Sequence, residues 1–100
     1  MRGIFQLPKF SVTVWVKKTD KFQAIRENLV TLAGVEPDES TEHEGMVDFH
    51  WGFEVHSGAK QLADCLKEVS SAPEIVVLRI SSLDPAVASS TLKDERLTRH

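Results

Sequence analysis

One hundred residues make one ordinary domain, and a chain with 41% hydrophobic and 27% charged residues can build a real core. The formal net charge of -3 argues against nucleic acid, because phosphate binding runs on clustered Lys and Arg. The single cysteine, Cys65, excludes an internal disulfide and a Cys-rich zinc site, and no apolar run approaches the roughly 18 residues of a membrane span.

The chain begins "MRGIFQLPKF". Its start is basic, but the apolar stretch breaks at Gln6 and Pro8, too short for a signal peptide. A cytoplasmic, reducing setting is therefore the expectation. After Pro8, "FSVTVWVKK" alternates. Phe10, Val12, Val14 and Val16 share one face, and Ser11, Thr13, Trp15 and Lys17 share the other, which predicts a half-buried strand. Next, Asp20 with Gln23 has the spacing of a capping box. Phe22, Ile25, Leu29 and Leu32 then follow at helical intervals, and Gly34 suits a left-handed C-terminal cap. These signals predict a helix over about residues 21 to 33.

Residues 35–45, "VEPDESTEHEG", are acidic and polar. They read as a loop, or as a loop followed by a weak edge strand near Ser40 to His43 that turns at Glu44-Gly45. "MVDFHWGFEVH" is the strongest strand signal in the chain. Val47, Phe49, Trp51, Phe53 and Val55 form an apolar row, while Met46, Asp48, His50, Gly52, Glu54 and His56 form a polar one. Ser57 offers a helix cap, and Ala59, Leu62, Ala63, Leu66 and Val69 form a stripe that ends before Pro73. Cys65 borders that stripe and reads as a small hydrophobe in the layer between helix and sheet. "EIVVLRIS" predicts a central strand over Ile75 to Ser81. Asp84-Pro85 suits a short helical turn, and the charged "LKDERLTRH" continues a tail.

The reading is a single α+β domain over residues 1–82, with residues 83–100 as a C-terminal tail, docked or partly disordered. One-sided strands place helices on one sheet face, a two-layer sandwich. With the weak second strand the pattern is a ferredoxin-like βαββαβ plait. Without it, the order leaves a three-stranded βαβαβ sheet.

In the plait, the polar row of the 46–56 strand faces away from the helices. It joins Thr13, Trp15 and Lys17 of the first strand and Ile75, Val77 and Arg79 of the last, so Trp15, Asp48, His50 and Arg79 become the candidate binding residues. A metal site is excluded on distance. At about 3.3 Å per residue, Asp48 and His56 lie roughly 26 Å apart, and the strands beside Asp48 and His50 offer Thr, Trp, Lys and Arg. His50 beside Asp48 has the residue types of a base oriented by a carboxylate, with Arg79 to steady an anion and Trp15 as an apolar wall. No catalytic residue follows from these types alone. The aromatic triplet Phe49, Trp51 and Phe53 falls on the core side, which removes the stacking platform that RNA-binding sheets use. The expected function is a non-catalytic binding, regulatory or assembly module without cofactor. Its open face is covered by a protein partner, by a second copy in a homodimer, or by the tail. The alternative is a small cofactor-independent enzyme or a protein that binds a small ligand on the Trp15, Asp48, His50 and Arg79 face.

Overall fold

The computed structural model describes residues 9–82 and 90–94. The elements run β1 (Phe10–Lys17), α1 (Phe22–Ala33), β2 (Glu39–His43), β3 (Met46–Phe53), α2 (His56–Leu66), β4 (Ile75–Ser82) and β5 (Ser90–Asp94). The strands form one sheet in the order β2-β3-β1-β4-β5, and every neighbouring pair is antiparallel. The described residues form a small α+β domain with two helices and five strands. No helix among the described residues is long and apolar enough to cross a membrane.

The apolar rows of β1 and β3 set the register. Val12 pairs with Trp51, Val14 with Phe49 and Val16 with Val47, so six side chains point to the same side. They join Leu29 of α1 and Ala59, Leu62, Ala63 and Leu66 of α2 in one buried cluster, against which Phe10, Phe22, Ile25 and Val69 pack. Both helices therefore cover one sheet face, and the opposite face carries the other row of each strand.

β2 fills the position of the weak edge strand. All five of its residues are exposed, and its carboxylates blunt the sheet edge. The connection to β3 is tight because Glu44 and Gly45 both take positive φ, 53° and 76°. Those values belong to the turn whose twist matches a hairpin. The preceding loop is tied to β3 rather than merely solvated. The Trp51 indole N–H donates to the Val35 carbonyl (3.2 Å), the Gly52 amide donates to Asp38 Oδ2 (2.7 Å), and the Asp38 amide donates to the His50 carbonyl (2.8 Å).

Several expectations shift at element ends. α1 starts at Phe22 with no side-chain cap from Asp20. Thr19 does the work instead, its hydroxyl accepting from the Lys21 amide and its carbonyl from the Phe22 amide. Gly34 ends the helix at φ 79°, as its position predicts. α2 starts at His56, behind an extended Val55, so Ser57 lies inside the helix and caps nothing. β3 stops at Phe53, which leaves Glu54 and Val55 outside both rows and exposed. In β4 the pairing with β1 jumps from Trp15–Val77 to Val16–Ile75. Val76 is the extra residue of a bulge, and Ile75 moves from the expected open face into the helix-side cluster.

Cys65 also departs from expectation: it is exposed. The residue positions of the Asp84-Pro85 turn and of 95–100 lie outside the described residues. Ser90–Asp94 pairs along β4 as the fifth strand. On the helix side of that strand, the Lys93 ammonium donates to the carbonyls of Ser70 and Ala72 after α2, which ties the sheet edge to the helical layer.

The hairpin turn generates a direct test. A left-handed backbone strains any residue with a Cβ by roughly 1–2 kcal/mol, and Asn tolerates it better than Glu. Glu44→Asn is therefore expected to raise the urea midpoint and Gly45→Ala to lower it. Unfolding curves in which both variants match the original chain would contradict the turn.

Candidate functional site: the sheet face opposite the helices

Direct cross-strand partners project to the same face, so the register lays out the site in rows. One row runs Glu39, His50, Thr13 and Arg79 across β2, β3, β1 and β4. The next runs Thr41, Asp48, Trp15 and Val77, and a third pairs His43 with Met46 and Met46 with Lys17. All four candidates read from the sequence, Trp15, Asp48, His50 and Arg79, thus lie within two adjacent rows. Glu54 does not join them.

Trp15 sits at the centre. The His43 ring meets it edge-on, with centroids 5.7 Å apart and planes at 87°, and the Arg79 guanidinium carbon lies 5.9 Å from its ring centroid. Such a cation over an indole is attracted by the ring quadrupole. Val77 beside it is 1% exposed and Thr13 is 4% exposed, so the middle of this face is buried although neither α1 nor α2 lies there.

His50 is held at both ring nitrogens. Thr13 Oγ1 lies 3.2 Å from Nδ1, and Asp48 Oδ1 lies 3.1 Å from Nε2. The second contact is close in distance yet off the direction of a hydrogen bond, since Asp48 Oδ1 is buried without a hydrogen-bond partner. It acts as an electrostatic contact. Arg79 Nε is likewise buried with no hydrogen bond. A buried polar atom left unsatisfied costs about 1–3 kcal/mol, so two within one site mark it as strained for polar pairing.

The chemistry available here is narrow. Thr, His and Asp in contact have the composition of a nucleophile relay, in which the imidazole bridges a hydroxyl and a hydrogen-bonded carboxylate, but Asp48 Oδ1 makes no hydrogen bond here and a nucleophile must be reachable by substrate. Here Thr13 occupies one nitrogen and Asp48 the other, and the Thr13 hydroxyl is on a buried residue. No group of three or more His, Cys, Asp or Glu side chains suited to a metal ion occurs among the described residues. The face presents an indole, a guanidinium, a carboxylate and two imidazoles held by strands.

Two participants escaped a reading by residue type, Thr13 and His43. Thr13 looks like an ordinary strand residue until its partner His50 is known. His43 reaches the face only because β2 pairs with β3 in the register His43–Met46. The signal that finds them is cross-strand pairing, which the Glu44-Gly45 turn makes available for His43 and nothing local makes available for Thr13.

The geometry also favours one tautomer: the negative charge of Asp48 beside Nε2 favours neutral His50 with its proton there, and Nδ1 then accepts a hydrogen bond from the Thr13 hydroxyl. Long-range proton–nitrogen spectra of the folded chain at high pH are expected to show the Nε2–H form for His50. A dominant Nδ1–H form would contradict this arrangement. A scan against protein-family models, a search of curated proteins and a search of solved structures each returned no match for this chain.

Proposed function

We propose that this protein is a non-catalytic binding, regulatory or assembly module that pairs with a second copy of itself through the sheet face around Trp15. The frame of this reading is a ferredoxin-like plait. Its support is the chain order of strands and helices, βαββαβ through β4, with β2-β3-β1-β4 side by side and β5 added at the edge. A cytoplasmic setting belongs to the same reading, since a lone thiol needs no oxidising compartment.

The observation that carries the proposal is the placement of Trp15 at the centre of the face with Arg79 against its ring, in a row that runs from Thr41 and Asp48 through Val77 to Asp94. Glu39 and Asp48 lie toward the β2–β3 side, and Arg79 lies toward the β4 side. A two-fold axis parallel to β1 lays each β3 flank over the partner's β4 flank and buries the two indoles at the centre. Aromatic and Arg anchors surrounded by polar groups are the usual composition of such a contact. The enzyme and small-ligand reading of the same face has less support, because Thr13, the hydroxyl beside His50, is 4% exposed and Asp48 Oδ1 makes no hydrogen bond to the ring.

Light scattering tests the proposal. The chain has a mass of 11.2 kDa, and the original protein is expected to scatter as a particle of twice that mass at micromolar to millimolar concentration. Trp15→Glu is expected to return the mass to that of one chain with an unchanged far-ultraviolet spectrum. A single-chain mass for the original protein over the whole range overturns the reading.

A further inference from the structure

On the helical side of the molecule an apolar groove opens between the two helices, with a volume of ≈ 350 Å³. Leu32 and Val35 line it from the α1 side, Gln61, Leu62 and Cys65 from α2, and Phe53 of β3 also lines it. Gly58 lets the Phe53 ring lie against α2, since a Cβ there would meet that ring at 3.0 Å. Leu32 and Val35 are among the few large apolar side chains left exposed, at 37% and 59%. Neighbouring Val55 adds another at 58%. The groove is well separated in chemistry from the polar sheet face, and its occupant is a separate question.

We propose that this groove is the docking site for the chain's own first eight residues, MRGIFQLP. Three observations carry it. First, the point of attachment is right. The Lys9 amide donates to the Phe53 carbonyl at 3.1 Å, so the segment joins the described chain beside a residue that lines the groove. Second, the reach is sufficient. Eight residues span up to about 26–29 Å at about 3.3–3.6 Å each, and the whole molecule is 25 Å deep along its shortest axis.

Third, the chemistry is complementary. The segment offers Ile4, Phe5 and Leu7 as apolar side chains, with Arg2 ahead of them. The groove offers apolar walls, and exposed carboxylates of Glu54 and Glu36 follow the lining residues Phe53 and Val35. Glu36 is shared with Arg26, which leaves Glu54 as the principal partner for Arg2. Clefts of a few hundred cubic ångströms suit one or two large side chains, with Phe5 as the anchor.

Cys65 makes the proposal measurable, because the only thiol of the chain lines the groove. In the full chain the docked segment shields that thiol. Ile4→Ser/Phe5→Ser/Leu7→Ser is expected to speed its reaction with a soluble aromatic disulfide reagent at least fivefold. The peptide MRGIFQLP added in excess to that variant is expected to slow the reaction again. Equal rates for the original and substituted chains overturn the proposal. So does protection that vanishes on dilution together with a fall in mass, since a second copy would then be the occupant. Should the triple variant fail to fold, the unaltered chain decides. Nuclear Overhauser contacts between the Phe5 ring and the methyl groups of Leu62 or Val35 are expected, and their absence overturns docking. Because this readout uses the groove and the light-scattering readout uses Trp15, the failure of either idea is distinguishable from failure of the other.

Discussion

Everything in this molecule depends on the in-register pairing of β1 with β3. Val12, Val14 and Val16 meet Trp51, Phe49 and Val47, and all six are at most 7% exposed. Burying one such side chain contributes about 1.5–3 kcal/mol, so the six together supply a large share of the drive to fold. A slip of one residue would turn both rows to the wrong side and put Asp48 and His50 beneath the helices. The register is held by chemistry on both strands and by the tight turn that delivers β3 from β2.

The same alternation creates the face opposite the helices. Once the apolar rows are committed to the core, Thr13, Trp15, Asp48 and His50 have nowhere else to point. Their polar atoms are then only partly served. Thr13 and Asp48 hold His50 from two sides, while Arg79 Nε and Asp48 Oδ1 keep no hydrogen bond. The strength of β1 and β3 is thus bought with a neighbouring surface that is buried, charged and incompletely paired.

The alternating strands and the helical stripe of α2 were legible in the sequence, because hydrophobic period follows directly from which side faces the core. So was the composition of the candidate face, since its four residues sit on rows that the pattern assigns to the side away from the helices. What escaped was governed by single backbone events. The bulge at Val76 moves Ile75 across the sheet, and nothing in "EIVVLRIS" marks it, because every residue there is apolar enough for either side. The end of β3 at Phe53 releases Val55 and Glu54, although the alternation runs on unbroken to His56. Cys65 was misplaced for a related reason: helical spacing locates the border of a stripe but not the gap that opens between two helices. The contact of Thr13 with His50 depends on register between distant strands, which no local pattern contains.

The central claim is that the Trp15 face is where two copies of this chain meet. Isotope-filtered nuclear Overhauser spectra of a one-to-one mixture of labelled and unlabelled chains test it most directly. The account predicts intermolecular cross-peaks from the Trp15 indole to Met46, Val77 or Arg79 of the other copy. Intermolecular peaks confined to Leu32, Leu62 or Val55 on the helical side, or none at all, would contradict it.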